Sequence, residues 1–211
     1  MKRVAGGFVV LLILASVCWR FPLFHIVSIA QAAREKAAGV FNPAAFTEQF
    51  WNERLLQSLG NATKVEELIP AIAANPVEAR KKFARSVGVS ESYTFFVSGK
   101  GRVLAVSDDE ISLAVIEGST NADVSLQAGL LFSNAVRDGT GLLNVNDYPN
   151  SQDFNAISEA LNHIIETRVQ PRLREQAKVG AVIRFVGCAE VNDEANDLKP
   201  LKVVPIQTTT E

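Results

Sequence analysis

The stretch Tyr93-Thr94-Phe95-Phe96-Val97-Ser98-Gly99-Lys100-Gly101-Arg102-Val103-Leu104-Ala105 decides the fold class. Upstream of Gly88 the apolar residues recur at helical spacing. From Tyr93 onward they fall on every second residue, first Tyr93, Phe95 and Val97, then Val103 and Ala105. That is the period of a strand with one buried face. Ser98-Gly99-Lys100-Gly101 reads as the turn between two such strands. Asp108-Asp109-Glu110 turns into a strand carrying Ile111, Leu113 and Val115, and residues 118–121 turn into one carrying Val124 and Leu126. A further strand is expected over 141–145, and two late ones over 179–186 and 201–206, separated by a polar loop at 190–197. Between them Asn150-Ser151 caps a long helix with Phe154, Ile157, Leu161, Ile164 and Ile165 on one face, which Pro171 bends or ends. Short strands with one helix before the last pair predict a small closed or nearly closed barrel.

Working back from Gly88, the pattern is helical. Asn42-Pro43 is a capping side chain followed by proline at the first helical position. Phe46, Phe50, Trp51, Leu55 and Leu59 then form an apolar stripe, read as core, that Gly60-Asn61 stops. Thr63 and Glu66 have capping-box spacing for a second helix, which Pro70 should kink. Asn75-Pro76 starts a third, with Val77 and Phe83 inside and Arg80, Lys81, Lys82 and Arg85 outside. The fold class is therefore α+β. It divides into 1–30, a membrane segment; 31–88, a stalk and helices; 89–206, the barrel; and 207–211, a tail.

Lys2 and Arg3 precede an apolar run over 4–19 that Arg20 interrupts. At about 1.5 Å per residue the run spans roughly 24 Å, and Phe21, Leu23, Phe24, Ile26 and Val27 extend it toward a hydrocarbon core of about 30 Å. Cleavage after Ala30-Gln31-Ala32 lies far beyond the run, and acylation of Cys18 lacks a small residue before the cysteine, where Val17 stands. An uncleaved signal-anchor is the expectation, with its positive end inside and the barrel on the periplasmic side of the inner membrane, or outside a single-membrane cell.

Composition removes several functions. The 211 residues are 47% hydrophobic and 21% charged, with 21 Lys+Arg against 23 Asp+Glu and a net charge of -2. Such a balance opposes nucleic-acid binding, which relies on basic residues to neutralise phosphates. Two cysteines, Cys18 and Cys188, make neither a disulfide framework nor a thiolate metal site, and two histidines leave little for zinc or His-based catalysis. Nucleophile-elbow, Walker, zincin and C-x-x-C signatures are missing from the sequence. Glu117, Asn121 and Asp123 lack the pattern of a calcium loop. His163 has no visible nucleophile beside it. No enzymatic activity, cofactor or metal is expected.

The richest polar segment runs from Arg137-Asp138-Gly139 through Asn144, Asn146, Asp147, Asn150 and Asp153. Asn and Asp form turns and caps, which explains most of them. A functional alternative makes Arg137, Asp138, Asn146 and Asp147 ligand-binding groups at a barrel mouth. An Arg next to an Asp is an exposed local ion pair worth at most about 1 kcal/mol, a buried staple, or part of an open pocket, and only the surroundings distinguish the three.

Six segments in order also carry a resemblance: Phe21-Pro22-Leu23-Phe24; Phe41-Asn42-Pro43-Ala44-Ala45-Phe46 with Trp51; Asp123-Val124-Ser125-Leu126-Gln127-Ala128-Gly129; Ala135-Val136-Arg137-Asp138; Val145-Asn146-Asp147-Tyr148 with Asn150; and Ala160-Leu161-Asn162. Together they resemble an uncharacterised bacterial family of predicted periplasmic lipoproteins, over about residues 20–190. The resemblance implies a barrel of the oligonucleotide/oligosaccharide-binding (OB) type preceded by helices, and genes beside ribose-type sugar ABC transporters. It supplies no catalytic residue. The functional expectation is a membrane-tethered periplasmic accessory protein that docks on an ABC transporter or its periplasmic binding protein. The alternative is a binding module for a small ligand, a sugar or nucleoside.

Overall fold

The computed structural model describes residues 41–86, 91–148 and 150–211. The expected membrane segment and stalk, with Cys18, lie outside the described residues. Among those described, no helix is long and apolar enough to cross a membrane.

The helical start is as the apolar spacing requires. Asn42 accepts from the Ala45 N–H at 3.0 Å and starts α1, Pro43–Phe50. The chain continues through a π-helical turn, Trp51–Leu55, and a 3₁₀ turn, Leu56–Asn61. Phe50, Trp51 and Leu55 are buried. Helix α2, Val65–Ala74, has no side-chain cap at Lys64, because Thr63 is used differently. Thr63–Lys64 is a short strand, β1, paired with Val97 and Ser98, so the expected capping box does not form. Helix α2 runs on through Pro70. Asn75 caps α3, Pro76–Phe83, by accepting from Val77 and Glu78. Val77, expected inside, is exposed, while Ala79 is the buried residue of that helix. Strand β2 is Ala84–Arg85.

The remaining strands are β3, Tyr93–Val106; β4, Glu110–Ala114; β5, Val124–Gln127; β6, Val182–Val191; and β7, Leu201–Thr210. Strand β3 pairs antiparallel with β4, β4 with β5, and β5 runs parallel to β7. Strand β7 pairs antiparallel with β6, and β6 returns to β3 from Tyr93↔Val191 to Arg102↔Val182. These five strands close a barrel. The free edge of β3 beyond β4 is taken up by β1 and β2.

The expected turn at Ser98-Gly99-Lys100-Gly101 does not exist: β3 passes straight through it. Its glycines instead face inward where the barrel is crowded. A Cβ at Gly99 would overlap Val65 Cγ2 of α2, and one at Gly101 would come within 2.9 Å of Leu113 Cβ. Glycine in a strand here marks close approach, not reversal. Around these glycines Phe95, Val97, Val103, Leu113, Ile183 and Phe185 fill the interior, each fully or almost fully buried. Each large side chain so buried contributes about 1.5–3 kcal/mol.

The expected strand over 141–145 is also absent. Gly141, at φ +66, follows α4, Ala135–Gly139, and the chain then enters a 3₁₀ turn at Val145–Asp147. With no neighbouring strand to pair with, the local alternation there is not used. Asn150 caps α5, Ser151–Ile164, and accepts from the Asp153 N–H at 2.8 Å. A second π-helical turn, Ile165–Val169, joins it to α6, Gln170–Gln176. Pro171 has no N–H to continue α-helical pairing, which accounts for this change of winding. Leu173 of α6 belongs to the barrel core. Outside the barrel, α4 packs on β3 and β6, α5 on α4 and α1, and the second π turn on β7. Strand β7 continues to Thr210, past its expected end. The short helix α7, Glu194–Asp197, occupies the loop before it.

Candidate functional site

Helix α4 lies flush on the barrel because its contact residues are small. A Cβ at Gly139 would stand 2.9 Å from Cys188 Sγ. Ala135 and Val136 are buried beside it. Arg137, on the same short helix, is only 6% exposed. Its Nε and Nη2 donate to Asp138 Oδ1 and Oδ2 at 2.7 and 2.9 Å, and its Nη1 donates to Asn155 Oδ1 at 3.0 Å and the Phe154 carbonyl at 3.4 Å. The guanidinium also lies 4.0 Å from the centroid of the Phe154 ring. A bidentate pair with further hydrogen bonds is the arrangement in which a buried arginine is tolerable. It joins α4 to the start of α5.

A cavity of about 160 Å³ runs beside this pair, lined also by Arg85, Thr94, Asn134 and Glu190. Glu190 Oε2 accepts from Ser133 Oγ at 2.7 Å and the Asn134 N–H at 3.0 Å. Asn146 and Asp147 do not line it. They sit in the 3₁₀ turn, both exposed, where the Asn146 N–H donates to the Asn144 side chain at 3.0 Å. The structure thus brings together Arg137 and Asp138 of the expected ligand set and leaves the other two on a surface turn.

A second region, not singled out by motif, is the loop after β5. Phe132 is 93% exposed and Leu130 77%, while Leu131 between them is buried. The loop is held from beneath by helix side chains. The Leu131 N–H donates to Glu166 Oε1 at 2.7 Å, Asn162 Nδ2 to the Ser133 carbonyl at 3.0 Å, and Gln170 Nε2 to the Gly129 carbonyl at 2.8 Å. With its backbone held in this way, the loop displays two apolar side chains to solvent. They border a groove of about 670 Å³ whose other wall includes Glu159 and His163.

The family described as predicted periplasmic lipoprotein (DUF2291) matches residues 8–209. The chain belongs to this family. The family's description agrees with an extracytoplasmic location. Among solved structures, the chain is similar to an OB-fold protein (tm0957) from Thermotoga maritima MSB8, with 25% identity and a TM-score of 0.72, over 82% of this chain and 99% of that one. The barrel described above is therefore an OB-like one. A comparison with curated proteins found no match.

In this family member Ser112 of β4 and Ser125 of β5 pair across the strands, and the fully buried Ser125 donates from Oγ to Glu110 Oε2 at 2.7 Å. The loop between β6 and β7 is acidic and ordered by its own carboxylates. Asp197 accepts from the Asn192 and Asp193 N–H groups at 3.0 and 2.9 Å and from Lys202 at 3.1 Å. Burial acts to raise the Asp197 pKa, but these donors outweigh it and hold the carboxyl below its ordinary value. Tyr93 OH donates to Glu194 at 2.8 Å, and burial followed by this bond pushes its pKa well up. Cys188 is a free thiol, fully buried, and burial likewise raises its pKa far above the usual thiol range. It packs as a small apolar residue.

Proposed function

We propose that this protein is a membrane-tethered extracytoplasmic interaction module, held by its N-terminal segment, that works by docking another protein and carries out no chemistry of its own. The observation that carries this reading is the pinned loop presenting Phe132 and Leu130 at 93% and 77% exposure. Large apolar side chains held out beside a groove by a pinned backbone mark interaction surfaces, since their burial on docking is favourable and part of the backbone ordering cost is already met. The partner class implied by the family resemblance, a sugar ABC transporter or its periplasmic binding protein, is the first to test.

The alternative, a small sugar or nucleoside held by Arg137 and Asp138, is less well supported. Four Arg137 donor contacts are already made within the chain. The adjoining cavity, about 160 Å³, is below the roughly 300–1,000 Å³ of ordinary ligand pockets. Nucleic acid is disfavoured by the acidic loop at Asp193, Glu194 and Asp197, which repels phosphates.

The test is affinity purification of the full-length protein from detergent-solubilised membranes, beside the Leu130→Ser/Phe132→Ser variant. Wild type should retain a transport component that the variant loses, with thermal stability unchanged. Equal retention by both, or no transport component with either, would count against the reading.

A further inference from the structure

The two neighbours of β7 cover different parts of it. Its parallel partner β5 covers Leu201, Lys202 and Val203, and beyond them β7 pairs with β6 alone. Pro205, a residue that sheets tolerate at their edges, stands where that second partner ends. The Glu211 N–H donates to the Val182 carbonyl at 3.1 Å, so Glu211 and Val182 form a hydrogen-bonded antiparallel pair. Alternation then directs Gln207 and Thr209 toward β6, and the N–H and C=O of Thr208 and Thr210 toward the opposite edge. Among the described residues no backbone or side-chain group bonds to them.

At Thr208 that edge borders a groove of about 560 Å³ between β7 and the second π-helical turn, and Thr210 lies just beyond its lining. Its lining includes Trp51, Leu56 and Ile206, with Arg168 and Arg172 on the helical side. Arg168 is engaged in a bidentate pair with Glu48. Arg172 is exposed and has no ion pair among the described residues. An unpaired strand edge, apolar side chains and an uncompensated cation are therefore in one place.

We propose that this groove receives an extended, acidic peptide segment of a partner protein, which adds a strand to the free edge of β7 and pairs a carboxylate with Arg172. The edge donors and acceptors of Thr208 and Thr210 recognise backbone, a match that a sugar or a helix does not offer. The unpaired Arg172 selects acidic side chains and opposes basic ones. Residues 206–209 span about 13 Å at about 3.3 Å per residue, a contact for a short strand. This site shares no residue with the Leu130–Phe132 loop, so the two surfaces stand or fall separately.

The test uses the full-length protein in detergent micelles and a fluorescein-labelled hexapeptide of alternating valine and glutamate. Two control peptides are a twin N-methylated at alternate residues along one edge and a version with lysine for glutamate. The acidic peptide should give a saturable rise in anisotropy, and at saturation amide exchange at Thr208 and Thr210 should slow about tenfold. N-methylation, lysine replacement and Arg172→Glu should each weaken binding by about tenfold or more, while Leu130→Ser/Phe132→Ser leaves it unchanged. Arg172→Glu alters an exposed side chain, and an unchanged melting temperature verifies that it folds. Absence of saturable binding, equal binding of the N-methylated twin, indifference to either charge reversal, or loss of binding in the loop variant would each overturn the proposal.

Discussion

Arg137 and Arg172 are the same residue type in opposite circumstances. Arg137 is 6% exposed, stacked on Phe154 and bonded to Asp138, Asn155 and a main-chain carbonyl. Arg172 is exposed beside an open groove and has no ion pair among the described residues. In the sequence it is Arg137, next to Asp138 in a run rich in Asn and Asp, that attracts a functional reading. In the fold its binding capacity is largely occupied by the protein itself. A charged side chain is available to a partner only when the chain has not already satisfied it, and satisfaction is a property of tertiary contacts.

The largest expected effect tests the first half of that comparison. Arg137→Ala should destabilise the protein by about 3–5 kcal/mol in urea titration, because Asp138 would be left buried without its partner. Replacing both residues by apolar ones of similar size should cost far less, which separates the pair's net worth from the penalty of breaking it. A loss below about 1 kcal/mol for Arg137→Ala would show that the pair is not a staple and would return it to the list of ligand groups.

Asp197 extends the contrast to a carboxylate. Removing its charge in Asp197→Asn should cost about 1.5–3 kcal/mol at neutral pH, the range for hydrogen bonds to charged groups. Its folded pKa lies below the ordinary value, so the folded state favours the ionised form. The stabilisation is fully present above the unfolded pKa, about 4, and is lost as pH falls through the lower folded value. The gap between wild type and Asp197→Asn should therefore narrow in melting curves taken between about pH 5 and pH 2; a gap that widens on acidification would contradict the assignment.

Asn155→Ala removes one partner of the charged Arg137 guanidinium, whose Nη1 keeps the Phe154 carbonyl, and should cost about 1.5 kcal/mol, the low end of the range for hydrogen bonds to charged groups. The smallest effects are expected on the exposed side. Arg172→Ala, Asn146→Ala and Asp147→Ala should each change stability by less than about 0.5 kcal/mol, and of the three only Arg172→Ala should weaken binding of the acidic hexapeptide. Differential scanning fluorimetry and anisotropy on the same preparations check both statements. If Asn146→Ala or Asp147→Ala abolished binding of a small sugar or nucleoside, the expected ligand set would regain two of its members.

Much of the architecture was legible in the residues. The change of period after Gly88, the caps at Asn42, Asn75 and Asn150, and the buried stripe of α5 all follow from short-range rules, in which a residue's neighbours one to four positions away fix its preferred conformation. The errors share one cause. Ser98-Gly99-Lys100-Gly101 has the composition of a turn, but its glycines serve a crowded interior where Val65 and Leu113 come from distant segments. Thr63 has the spacing of a cap, but its backbone pairs with Val97. The alternation at 141–145 found no strand to pair with.

By itself, then, the sequence determined the α+β class, the barrel's alternating faces, the helix starts at Asn42, Asn75 and Asn150, and the exclusion of familiar catalytic motifs. These depend on local backbone preference and on which side of each element is apolar. Tertiary structure alone decided that Arg137 is engaged by Asn155 and Phe154, that a loop pinned by Glu166 and Asn162 holds Phe132 in the open, and that β7 keeps an unpaired edge facing Arg172. Each of these depends on which distant segments meet when the barrel closes, and such meetings are set by the packing of the whole chain.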